Sequence, residues 1–169
     1  KVAGVIILAG PTRPLSELVV EQTEYIFSLD GQIDEKENEQ LEEIKKGRDK
    51  LKNRELKEDE IVPGLGGYAS YWYDLEKRNP VVEANKISCP ILILQGERDY
   101  QVTLVDFNNW KNGLSSRDNV TFKLYPDLNH LFIVGKGKSI PQEYQNPGHV
   151  DKQVIEDIAW WIKGVSQLM

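Results

Sequence analysis

Residues 90–102 read Pro-Ile-Leu-Ile-Leu-Gln-Gly-Glu-Arg-Asp-Tyr-Gln-Val, an aliphatic run that stops at Gly96 and delivers a carboxylate, Asp99, three residues later. Four successive aliphatic side chains with no polar alternation suit a strand covered on both faces, as in a parallel sheet. Val2-Ala-Gly-Val-Ile-Ile-Leu8, bounded by Gly10 and Pro11, has the same character. Val120-Thr-Phe-Lys-Leu-Tyr125 ends at Pro126 and alternates more, as a strand nearer a sheet edge does.

Helical patterns separate these runs. Leu15, Leu18, Val19, Gln22, Tyr25, Ile26 and Leu29 recur at helical spacing between Pro14 and Gly31. Asp34 and Glu37 form a capping-box pattern that opens a charged helix to about Lys52. Its thin apolar stripe, Leu41, Ile44 and Leu51, places that helix at the surface. An aromatic segment covers Tyr68–Lys77, and Thr103–Gly113 carries Leu104, Phe107 and Trp110 three apart. The last helix starts at Asp151, a good N-cap, and is expected to bury Val154, Ile155, Ile158, Trp161, Ile162 and Val165. Buried strands alternating with helices mean an α/β open sheet with right-handed crossovers. The stretch from Pro11 to Ser88 is too long for a simple crossover. Residues 1–10 and 86–169 are therefore expected to form the core, and 11–85 an inserted helical cap or lid.

Reactive groups in open α/β sheets gather beyond the carboxyl ends of the strands. Asp99 follows one strand, and His130 follows the next through Tyr125-Pro-Asp-Leu-Asn-His130. If these strands are neighbours, carboxylate and imidazole can meet. Acid before histidine is the order that α/β-hydrolases show after their nucleophile. Asp127 reads as a turn residue after Pro126, and His149 as structural or at a pocket rim.

Residues 91–102 resemble the acid-bearing strand and turn of the α/β-hydrolases. Leu124-Tyr-Pro-Asp-Leu-Asn-His-Leu-Phe132 is similar to their histidine loop, and the closing helix with Ile158-Ala-Trp-Trp-Ile162 to their final helix. The resemblance covers residues 86–166, extends to residues 2–10, and is nearest to bacterial esterases and prolyl-oligopeptidase-like hydrolases. It implies the C-terminal portion of an α/β-hydrolase that cleaves a carboxylic ester by Ser-His-Asp acyl transfer, with Asp99 and His130 as acid and base. A peptidase or amidase, or a non-catalytic binding scaffold on the same fold, are the alternatives. Tyr71, Trp72, Tyr100, Leu131 and Phe132 are the expected substrate-pocket residues; for Tyr71 and Trp72, as for Tyr68 and Tyr73, packing of the cap against the core is an equal alternative.

The nucleophile is not legible. No Gly-x-Ser-x-Gly occurs; Gly113-Leu-Ser115 and Gly67-Tyr-Ala-Ser70 lack the closing glycine, and the former follows Asp99. The serine is accordingly expected upstream of Lys1, in a longer chain that would also carry any targeting signal, and these residues alone are expected to be inactive. An open apolar edge at Val2–Leu8 then suggests a homodimer.

Other classes find little support. A net charge of −6 argues against a nucleic-acid partner, and no apolar run reaches membrane-spanning length. Cys89 is the single cysteine, and no His-x-x-x-His occurs, so neither disulfide nor metal is expected. Gly135-Lys-Gly-Lys-Ser139 has Phe132 where a phosphate loop needs glycine and Pro141 where its helix should run. It reads as a flexible turn beside His130. Gly64-Leu-Gly-Gly67 reads as a hinge at the cap boundary. No cofactor is expected, and the partner is a small ester or peptide-like substrate.

Overall fold

The computed structural model describes residues 2–166. Its elements run β1 (Val5–Leu8), α1 (Leu15–Phe27), α2 (Glu35–Lys52), α3 (Ala69–Glu76), α4 (Pro80–Asn85), β2 (Ile91–Gly96), α5 (Leu104–Gly113), β3 (Val120–Tyr125) and α6 (Lys152–Ser166), with short 3₁₀ turns at Ser28–Asp30 and Pro141–Gln145. The chain divides into two compact units. One holds the stretch up to Thr12 and everything from Pro80 onward; the other is Arg13–Asn79.

In the first unit the strands form one parallel sheet, ordered β1-β2-β3. β2 is central and buried along its whole length. Leu92 and Leu94 face a cluster with Tyr125, Phe132 and the α6 residues Val154, Trp161 and Val165. Ile91 and Ile93 face the other way, onto Phe107 and Trp110 of α5, Leu114, and Ala84 of α4. Helices on both faces explain why the run is aliphatic at every position rather than at alternate ones.

β1 is shorter than the apolar run suggests. The ladder starts with Val5 N–H donating to Pro90 O (3.0 Å), and Pro90 itself has no N–H with which to extend it. Beyond β1, Thr12 is tied to α5 through its amide and hydroxyl, both donating to the buried Asp106 carboxylate at 2.8 and 2.9 Å. Trp110 Nε1 donates to Gly10 O in the same region.

α6 departs from expectation at two positions. Val154, Trp161 and Val165 are buried, but Ile155 and Ile162 are exposed. Those two lie seven residues apart on the helix flank, and the 154/158/161/165 stripe already fills the face toward the sheet.

The second unit has its own core of Leu51, Val62, Ala69, Trp72 and Tyr73. Both halves of the capping box form at α2: Glu37 N–H donates to Asp34 Oδ1 and Asp34 N–H to Glu37 Oε2. The Gly64–Gly67 segment is a tight turn inside this unit rather than a boundary hinge. Gly66 N–H donates to Val62 O and Val62 N–H to Gly67 O. A Cβ at Gly64, whose φ is +65°, would lie 2.5 Å from the Ile44 amide nitrogen, so the turn packs directly on α2. Among the described residues, no helix is long and apolar enough to cross a membrane.

Candidate active site

The site is built where β2 and β3 end side by side. Their register runs to Gly96 opposite Tyr125, so both chains leave the sheet at one level. The outgoing loops are then stitched together: Glu97 N–H donates to Tyr125 O (2.9 Å) and Arg98 N–H to Leu128 O (3.0 Å). This approach requires glycine at 96, because a Cβ there would sit 2.3 Å from the Leu128 carbonyl oxygen.

Asp99 is 2% exposed and meets donors on both oxygens. Its Oδ1 accepts from the amides of Gln101 (2.8 Å) and Val102 (3.1 Å). Its Oδ2 accepts from Gln95 Nε2 (3.1 Å) and lies 2.8 Å from His130 Nδ1. An ionised carboxylate offers acceptors only, which assigns Nδ1 of His130 as the donor of their shared bond. Gln95 also donates to Val102 O, which holds the turn carrying Asp99. A buried carboxylate is tolerable only with this degree of satisfaction.

The imidazole sits on a tight turn. Asn129, 1% exposed, accepts on Oδ1 from the amides of Leu131 (3.0 Å) and Ile133 (3.1 Å). Phe132 adopts φ +58°, a left-handed conformation that a bulky side chain rarely takes. Its ring is buried edge-to-face against Tyr125, which offsets the cost of that conformation. His130 is left with a side chain 28% exposed. Among the described residues, none hydrogen-bonds its Nε2.

Asp99 and His130, predicted from sequence as a pair, are thus in contact. The expected pocket residues divide. Leu131 and Tyr71 are exposed, whereas Trp72, Tyr100 and Phe132 are buried. Phe132 belongs to the sheet core and Trp72 to the core of the helical unit, with its Nε1 donating to Gly66 O. Tyr100 leans on Tyr144. Trp72 and Phe132 thus pack the cores of their own units. His149 is exposed, and Asp127 lies in the turn with its carbonyl accepting from Gly135 N–H. Ser115 donates to Asn112 O at the end of α5.

Sequence reasoning missed Gln95, Arg98, Asn129 and Glu143. Gln95 had a signal: a polar residue closing an aliphatic strand must find partners once buried. Among the described residues, no group of three or more histidine, cysteine, aspartate and glutamate side chains converges as metal ligands would.

A parallel sheet flanked by helices, with a carboxylate and a histidine joined at the carboxyl ends of adjacent strands, is the architecture of the α/β-hydrolase superfamily. Residues 60–162 match the model of the dienelactone hydrolase family, and the chain belongs to that family. It is 44% identical over 162 residues to Esterase EstD of Thermotoga maritima, covering 96% of this chain and 37% of that protein. The chain therefore spans little more than a third of the length of this relative. A solved structure of a thermophilic esterase from Thermogutta terrifontis is similar at 18% identity and a TM-score of 0.44, over 96% of this chain and 56% of that one.

Proposed function

We propose that this chain supplies the acid and the base of a serine hydrolase that cleaves carboxylic esters, with the nucleophilic serine contributed by sequence outside residues 1–169. The observation that carries this reading is the 2.8 Å bond between Asp99 Oδ2 and His130 Nδ1 at the ends of neighbouring strands. Family membership and the esterase name of the Thermotoga relative favour ester cleavage over other reactions of the fold.

In the proposed mechanism Nε2 of His130 accepts the serine hydroxyl proton as the oxygen attacks the ester carbonyl. The imidazolium that forms keeps its Nδ1–H on Asp99, which orients the ring and stabilises the charge. His130 next passes the acquired proton to the departing alkoxide. In the second half it activates a water molecule that releases the acid. No Gly-x-Ser-x-Gly lies within the chain, and the oxyanion donors of this mechanism belong beside the nucleophile. Residues 1–169 alone are accordingly expected to be inactive.

The test is covalent labelling by a fluorophosphonate of a longer form of the protein that includes the sequence before residue 1. Stoichiometric labelling of one serine, abolished by His130→Ala, supports the reading. Unlabelled, folded protein would identify a binding scaffold instead.

A further inference from the structure

Residues 135–145 touch neither Asp99 nor His130 through any hydrogen bond described above, yet they are wired to the residue before each. Arg98, with a side chain 5% exposed, donates from Nε to Gly137 O and from Nη2 to Lys136 O and to Glu143 Oε1. Its Nη1 reaches Asp127 O at 3.5 Å. Ser139 closes over the same residue, its amide (2.9 Å) and hydroxyl (2.7 Å) both donating to Arg98 O. A Cβ at Gly135 would lie 2.1 Å from the guanidinium, so a larger residue there would have to push the Arg98 head group aside. The glycine- and lysine-rich segment is therefore a brace around Arg98 rather than a loose turn. The second oxygen of Glu143 accepts from Asn129 Nδ2 at 3.2 Å, and Asn129 Oδ1 in turn holds the amides on either side of Phe132.

We propose that Glu143 is a positioning residue for the Asp99–His130 pair, its carboxylate tying the acid's loop to the histidine's loop. This rests on the reading of that pair as the acid and base of the reaction. Arg98 and Asn129 both present donors to Glu143, so the bridge needs an acceptor at each end. Glutamine in its place offers one acceptor and one donor, and sets N–H against N–H on one side. Aspartate keeps both acceptors but is one methylene too short to span the gap. Either change removes this side-chain part of the tie and leaves the backbone bonds from Glu97 and Arg98 between the loops, and catalytic geometry is lost over displacements of about 1 Å.

The test follows the side-chain N–H resonances of the protein's two histidines by NMR, with His149 as the internal control. In the unmodified protein the His130 Nδ1–H resonance is expected in the far downfield region, and Asp99→Asn is expected to remove it. Glu143→Gln and Glu143→Asp should each speed its exchange with solvent by about tenfold through local opening, leaving His149 unchanged. Glu143→Asp retains the charge and carries the test if Glu143→Gln does not fold. The double variant Glu143→Gln with Asn129→Asp restores donor-to-acceptor pairing with reversed polarity, and should recover the original rate. General loosening of the fold would move both histidines together. Unchanged exchange in the single variants, or no recovery in the double, overturns the role of Glu143 while leaving the pair intact. A resonance that is missing from the unmodified protein, or survives Asp99→Asn, removes both readings.

Discussion

Asp99 concentrates more of the site's chemistry than any other residue, because four donors converge on its two oxygens. Asp99→Asn preserves shape but turns one acceptor into a donor facing donors. Under the proposed mechanism, and in a longer form of the protein that carries the nucleophile, the expected loss in kcat is on the order of 10⁴, as for the equivalent change in a serine protease. Steady-state kinetics on a short-chain p-nitrophenyl ester would show it with little change in KM; a loss below tenfold would take Asp99 out of the mechanism. Gly96 contributes by having no side chain. Gly96→Ala forces its Cβ into the Leu128 carbonyl, so the two loops must separate. A stability loss of about 1–3 kcal/mol is expected from such overpacking, measured as a lower urea midpoint at unchanged slope.

Two elements hold the histidine loop from beneath. On β3, the Tyr125 hydroxyl donates to Asp157 of α6 at 2.8 Å, and Lys123 Nζ reaches the same carboxylate at 3.2 Å. Burial first, and then the bond to Asp157, raise the ionisation of Tyr125 well above the ordinary tyrosine value of 10.0. Above that pH the unfolded chain releases the Tyr125 proton while the folded chain retains it. The unfolded state then binds fewer protons, and stability falls as pH rises. Tyr125→Phe removes this contribution, so its urea stability should decline less steeply than that of the parent between about pH 10 and 11.5. Equal slopes would show that the phenol is not held neutral by the fold. At α2 the capping box makes Asp34→Ala a loss of about 1 kcal/mol, to be read from thermal unfolding. Elements of this kind were largely legible in the sequence, and for physical reasons. An aliphatic run such as 91–94 has few alternatives to a covered strand, and Asp34-x-x-Glu37 is a local hydrogen-bonding pattern needing no tertiary partner. The pairing of Asp99 with His130 followed from strand adjacency. What escaped was whatever depends on long-range contact. Arg98 and Glu143 are 45 residues apart, and in sequence each is an ordinary surface charge. Ile155 and Ile162 fit a buried helix as well as Val154 does; only the placement of the sheet exposes them.

On the scale of the whole molecule, each unit has a separate set of buried side chains. Leu51 is fully buried in the helical unit, and Leu51→Ala should cost it about 2–5 kcal/mol by cavity formation, seen as an earlier thermal transition. β1 lies at one margin of the sheet, with Leu8 48% exposed. Self-association through that margin would give a mass that climbs with concentration in light scattering; a constant monomer mass at high concentration would dismiss it. The sheet register has a further consequence. With Gly96 level with Tyr125, the alignment of two hydrophobic strands doubles as a ruler for the approach of Asp99 to His130. A slip of one residue would carry Asp99 along by about 3.3 Å and turn every β2 side chain to the opposite face. Under the proposed mechanism, inserting a single residue anywhere in 91–96 should therefore abolish ester cleavage even where the chain still folds, whereas the exposed turn at Ser115–Ser116, beyond the reach of that ruler, should accept one.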